Sequence, residues 1–203
     1  MRFASAAGDR ALTAAIHAIE DASAVEVVVA VRAHARRWMV QHAIVGIVAA
    51  LGVLGYAVVF EWDVWAILAF PLVSGALAAL IVEIVPPLHR FLVPVHVRDA
   101  HVLEAARALF VERGVHATKD RTGMLVFLAI HARACEIVGD VAVVERVGQP
   151  ALDDVAAKLA AAIPSGAEAT AEVLAAFAPA LAAALPHRAD DVDELPDAPI
   201  AAP

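Results

Sequence analysis

Hydrophobic and polar positions alternate along this chain in two different ways. Two long stretches have no charge at all: Trp38 to Phe60, and Val64 to Val82. Elsewhere the apolar residues recur at helical spacing or gather in short β-branched blocks. Leu12, Ala15, Ile16 and Ile19 follow one another at three-to-four spacing, with Asp9 as a candidate N-cap, and predict an amphipathic helix. Ala24 to Val31 (AVEVVVAV) reads as a strand buried on both faces. Val102, Ala105, Ala106, Leu109 and Phe110 form one stripe of a helix over 99–113, closed by Gly114. A polar loop, His116 to Gly123, leads into an apolar strand from Met124 to Ile130. A turn at His131 to Arg133 and a strand from Ala134 to Val138 complete a hairpin that Gly139-Asp140 closes. Leu152, Val155, Leu159 and Ile163 mark a further helix, broken at Ser165-Gly166. Val173, Leu174, Phe177 and Leu181 mark a last one, with a kink or restart at Pro179.

The two uncharged stretches have a different destination. About 20 helical residues span the ~30 Å hydrocarbon core of a bilayer, and each stretch is long enough. Only Glu61, Trp62 and Asp63 separate them, so the two helices must run antiparallel as a transmembrane hairpin. Trp38 at one end and Trp62 and Trp65 at the other suit the two interfaces. Gly46/Ala50 and Gly75/Ala79 are small-residue pairs that let the helices approach closely. Arg32, Arg36 and Arg37 precede the first span, His89, Arg90 and Arg98 follow the second, and the connecting loop is acidic. The positive-inside rule then predicts a two-span protein of the inner (plasma) membrane with both termini cytoplasmic. The first 35 residues carry charges throughout and no secretory signal pattern, so the first span is expected to direct its own insertion.

The order is helix, strand, membrane hairpin, helix, strand, strand, helix, helix. Strands apolar on both faces need helices on both sides. The fold class expected is therefore α/β: a small α/β/α sandwich with the transmembrane hairpin inserted between the first strand and the following helix. Residues 1–37 form the first part of the sandwich, 38–60 and 64–85 the two spans, 91–188 the second part, and 189–203 an acidic, proline-containing tail. The first two long strands are expected to be parallel neighbours joined by a crossover. The tail carries Asp190, Asp191, Asp193, Glu194 and Asp197 with no basic residue, and reads as solvated and partner-seeking. Docking back on its own domain is the alternative, with Leu195 and Pro196 as the apolar handle.

Composition narrows the classes. Of 203 residues, 62% are hydrophobic, and the mean hydropathy is +0.75. That excludes a disordered chain, which is apolar-poor. One cysteine, Cys135, excludes a disulfide scaffold. A net charge of −8 makes the chain a poor general nucleic-acid binder, which would need a basic face.

Chemistry is sparse. Ser5, Ser23, Ser74 and Ser165 lie in no nucleophile-elbow pattern. Cys135 sits within a strand with no adjacent cation to lower its pKa and reads as packing. His89, His96 and His101 do not share one helix face. No Walker loop or dinucleotide fingerprint is present. The carboxylates remain. Asp140 follows a strand end and a Gly, where a side chain can project at the sheet edge. Asp120 and Arg121 precede the neighbouring strand. Glu26 is a charge inside an apolar strand and needs a partner or the strand's exposed end. Glu26, Arg121 and Asp140 are expected to converge at one end of the sheet. With a tail carboxylate, Glu26 and Asp140 could hold Ca²⁺ or another divalent cation. The competing reading is a structural ion pair of Arg121 with Asp140 or Glu26.

The run RTGMLVFLAIHARACEIVGD (Arg121 to Asp140) resembles the core signature of TPM domains. AIEDASAVEVVVAV (Ala18 to Val31) resembles the same family's first helix and strand, and Leu185-Pro186 with DELPDAP (Asp193 to Pro199) is similar to the C-terminus of its bacterial membrane-bound subgroup. Leu152 departs from that subgroup, where a Trp is expected. The resemblance implies an α/β/α sandwich tied to a membrane and a role in maintaining other membrane proteins. Members described as acid phosphatases or calcium binders imply the alternative, a metal-dependent, acid-phosphatase-like hydrolase at the membrane face. The expected partners are the lipid bilayer and other membrane proteins, with no nucleic acid.

Overall fold

A computed structural model describes residues 3, 5–32, 39–85, 95–187, 195 and 199–201. The chain divides into two compact units, Arg37–Val97 and the remainder, which combines Met1–Arg36 with Arg98–Pro203.

In the larger unit, helix α1 (Ala6–Glu20) begins at Ser5, whose hydroxyl accepts the N–H of Gly8 at 3.0 Å. Ser5, not the expected Asp9, is the N-cap. Asp9 instead lies in the first turn, where its charge complements the positive helix terminus. Strand β1 (Glu26–Arg32) follows. Helix α4 (Val95–Glu112) ends at Gly114, whose φ of 68° is the left-handed conformation that glycine adopts at least cost. Strands β2 (Gly123–Ala129) and β3 (Ala134–Gly139) form the expected hairpin. Then come α5 (Val141–Val147), α6 (Gln149–Ala162), α7 (Ala167–Ala175) and α8 (Ala178–Ala184). Pro179 lies in the first turn of α8, so it restarts a helix rather than kinking one.

The sheet order is β3-β2-β1-β4. β1 and β2 are parallel, paired from Glu26↔Gly123 to Arg32↔Ala129. β2 and β3 are antiparallel. Because successive side chains point to opposite faces, the apolar runs of β1 and β2 feed two cores. On one face Val27, Val29, Val126 and Leu128 pack with Leu12 and Ile16 of α1, Leu159 of α6, Leu174 of α7 and Leu181 of α8. On the other, Val28, Leu125 and Phe127 pack with Val102, Ala106 and Leu109 of α4. The result is a mixed α/β fold with helices on both faces of the sheet.

At the end of the tail the structure matches the docking alternative, with Leu195 as part of the handle. β4 (Ile200–Ala201) runs parallel to β1 at Ala30 and Val31, and Leu195 and Ile200 pack on the α4-side core. An open strand edge and an uncovered apolar face draw the segment back. The tail's acidic residues and Pro196 lie outside the described residues, as do Arg36, Arg37, Trp38, His89 and Arg90.

The second unit is a helical hairpin of α2 (Met39–Val59) and α3 (Val64–Ile84). Asp63 caps α3, its Oδ1 accepting the N–H groups of Trp65 at 3.0 Å and Ala66 at 3.1 Å. A Cβ placed on Gly46 would lie 2.8 Å from the carbonyl oxygen of Gly75, and one on Gly75 would lie 2.8 Å from that of Gly46. The two backbones therefore touch here, and only glycine permits it. Tyr56, Phe60, Trp62 and Phe70 cluster at the turn, with ring centroids 4.3 to 5.8 Å apart between neighbours. Among the described residues, nearly every exposed large apolar side chain belongs to this unit. Leu51, Val59, Trp65, Leu68, Leu72 and Val73 are 61–79% exposed, whereas Val111 and Val141 are the exceptions in the larger unit.

Candidate functional site

Asp140, Arg121 and Glu26 gather around one residue, Gly123. Glu26 is the first residue of β1, buried, and opposite Gly123 in the ladder. Asp140 follows β3, and its N–H donates to the Gly123 carbonyl at 2.8 Å. A Cβ on Gly123 would sit only 2.0 Å from the Val115 carbonyl oxygen, so this position must be glycine. Arg121 stands two residues earlier in a left-handed conformation, φ 58°, that costs a non-glycine residue about 1 kcal/mol or more.

The strain at Arg121 has a visible counterpart. Its Nη2 meets Asp140 Oδ1 at 2.9 Å, and its carbonyl accepts the N–H of Ala142 at 3.2 Å. Asp140 Oδ1 also accepts the N–H of Val141 at 2.7 Å, which makes Asp140 the N-cap of α5. The Asp140 side chain is 3% exposed and that of Arg121 is 52% exposed. With one partner half in water, the pair contributes at most about 1 kcal/mol. The cap contributes a similar amount, ~1 kcal/mol. Thr118 completes the turn, its buried Oγ1 accepting the N–H of Thr122 at 3.1 Å. The competing reading of the sequence is therefore the geometry observed: Arg121 pairs with Asp140 and holds the 118–123 loop.

For Ca²⁺ the described residues fit poorly. Ca²⁺ takes six to eight oxygens. Asp140 Oδ1 already carries a guanidinium and a backbone N–H. Only Oδ2, buried and without a hydrogen-bond partner among the described residues, is left to offer. No group of three Asp, Glu, His or Cys able to hold a metal occurs among the described residues. Asp120 is exposed on the turn before Arg121.

Two further serines have structural work. Ser23 donates to the Ile19 carbonyl at 2.8 Å and Ser74 to that of Pro71 at 3.0 Å. Cys135 is buried, and that burial, with the neighbouring Glu136 carboxylate, pushes its thiol pKa far above the usual range. Glu136 is the group the sequence reading passed over. Its carboxyl pKa is raised, first by burial, then by the carboxylates of Asp153 and Asp99, with Arg107 opposing. Its signal was an acid flanked by apolar residues in a short strand.

Among the described residues, two segments are long and apolar enough to cross a membrane by length and composition: Val64–Val82 and Ala167–Ala184. The second covers α7 and α8, whose Ala171, Leu174 and Leu181 are core. The apolar part of α2, Ala43–Val59, is shorter.

No family model matches the chain, and no curated protein does. Its fold is similar to the NMR structure of the BA42 protein from the psychrophilic bacterium Bizionia argentinensis. The TM-score is 0.60 at 16% identity, covering 98% of this chain and 96% of that one. At that identity the likeness establishes the fold alone: a small mixed α/β domain.

Proposed function

We propose that this chain is a membrane-anchored, TPM-like interaction domain: α2 and α3 cross the inner membrane as a hairpin inserted in the sandwich, and the α/β unit, with both termini cytoplasmic, contacts other membrane proteins in their assembly or turnover. The observation that carries the reading is the outward apolar surface of α2 and α3. Each Leu, Ile or Phe left in water forgoes about 1.5–3 kcal/mol of burial, and lipid removes that cost for the whole girdle at once. Helices α7 and α8, less apolar but long enough together to pass the same length test, turn Ala171, Leu174 and Leu181 into the core instead. The tight Gly46–Gly75 approach suits helices that must pack without a hydrophobic drive. Acidic residues at the turn and arginines beyond both outer ends support the orientation. The α/β unit is joined to the hairpin at two chain positions, so it stays at the membrane where its partners are.

Photo-crosslinking tests the proposal. A photoreactive residue at Glu112 or Lys158, both exposed on the α/β unit, is expected to capture membrane proteins from native membranes. Adducts only with soluble proteins, or none, refute it. The hydrolase alternative has no comparable support, since Asp140 is engaged as a cap and ion-pair partner.

A further inference from the structure

Arg32, the last residue of β1, is partly buried, with its guanidinium 5.7 Å from the centroid of the Phe127 ring. Its Nε–H is sealed from solvent and has no acceptor among the described residues. A ring face answers the positive charge in part but accepts none of the guanidinium's N–H groups conventionally. Arginine is permanently charged, and its planar fork matches phosphate oxygens.

Beside it lies an open cavity of about 220 Å³. Arg32, His101, Glu104 and Glu112 line it, with the short side chains of Ala105 and Ala108 making room. The α4 positions recur at three-to-four spacing, so they form one stripe along the helix, roughly 16 Å from His101 to Glu112 at ~1.5 Å per residue. The volume falls below the roughly 300–1,000 Å³ of sites for drug-sized ligands and suits a headgroup-sized one. The charges are mixed. A simple anion meets Arg32 but also two carboxylates. A simple cation meets the carboxylates but also Arg32. A ligand with an oxyanion at one point and an ammonium at another answers both.

We propose that this cavity binds a phosphoethanolamine headgroup, with phosphate oxygens on Arg32 and the primary ammonium facing the acidic stripe of Glu104 and Glu112. The source is a zwitterionic phospholipid, and this part rests on the membrane reading above. A choline headgroup carries the same charges but has no N–H to give a carboxylate, and a glycerol headgroup has no cation at all.

The test uses the full chain in mild non-ionic detergent, with retained lipid read by native mass spectrometry. Phosphatidylethanolamine is expected to be held about tenfold more tightly than phosphatidylcholine or phosphatidylglycerol of equal chain length. Arg32→Gln is expected to lose about tenfold. The exposed pair Glu104→Gln with Glu112→Gln is expected to abolish the preference for ethanolamine over glycerol and keep the fold by circular dichroism. Equal retention of the three lipids by the unmodified chain overturns the proposal, as does an ethanolamine preference that survives the double variant. Detergent-phase partitioning of the same sample separates the two readings. A chain that enters the detergent phase without headgroup preference loses the cavity proposal and keeps the anchor. A chain that stays in the aqueous phase yet binds soluble phosphoethanolamine loses the anchor and shifts the ligand's source from lipid to solute, which overturns the lipid assignment.

Discussion

Replacing Asp140 separates a structural lock from a catalytic carboxylate. Asp140→Ala removes the cap acceptor for Val141 and the partner of Arg121 together. The lost cap costs about 0.5–2 kcal/mol. The lost pair adds at most about 1 kcal/mol, because Arg121 is 52% exposed and water takes over its charge. The expected total is about 2 kcal/mol. Asp140→Asn keeps an acceptor oxygen for Val141, so it should cost about half as much, and Arg121→Gln should cost less than about 1 kcal/mol. Denaturant unfolding of the chain in detergent gives these values, and hydrogen exchange over 118–123 and 141–147 shows where protection is lost. The double variant of Asp140→Ala and Arg121→Gln should show a coupling of no more than about 1 kcal/mol. An Asp140→Ala protein as stable as the parent refutes the lock. So does Arg121→Gln matching Asp140→Ala in cost, or hydrolysis of a phosphate ester that disappears with Asp140→Ala while stability is untouched.

Three further outcomes follow from the geometry. Gly46→Val forces a Cβ against the Gly75 carbonyl and should lower the melting temperature of the detergent-solubilised chain, whereas Gly52→Ala, with nothing within 4 Å, should be neutral or gain up to ~1 kcal/mol of helix propensity; equal effects of the two contradict the close packing. Glu136 has its carboxyl pKa raised by burial, so its ionised form opposes folding; its contribution to stability is fully present below the ordinary carboxylate range and is lost as pH rises through the raised value. Glu136→Gln should therefore stabilise the protein at neutral pH, and the advantage should shrink on acidification, which denaturation at a series of pH values reads directly. Deleting 199–203 removes β4, and faster amide exchange confined to β1 around Ala30 and Val31 is expected, with unchanged rates there contradicting the pairing.

Much of the α/β architecture was legible because its signals are local. The β-branched block of β1 and the apolar run of β2 have one plausible use, a parallel pair covered on both faces, and that is what forms. Gly114 and Pro179 mark helix boundaries through backbone restrictions that no packing overrides. What escaped the reading was short or non-local. Helix α5 is VAVVERV, a β-branched run that looks like strand; only the Asp140 cap and the turn of Arg121 beneath it give helix the advantage. β4 has two residues in a proline-flanked stretch, and its pairing depends on an edge set elsewhere in the chain. The grouping of Arg121 with Asp140 was anticipated, because hairpin register brings the start of β2 beside the end of β3. The cavity beside Arg32 was not, since it joins a strand end to a helix face across the intervening hairpin sequence.

Alkaline carbonate extraction of native membranes is the most direct measure of the central claim that α2 and α3 lie in lipid. The full chain should remain in the membrane pellet after the wash, alongside an integral-membrane control. Release of the chain into the supernatant with the peripheral proteins contradicts the anchor, and with it the proposed place of action.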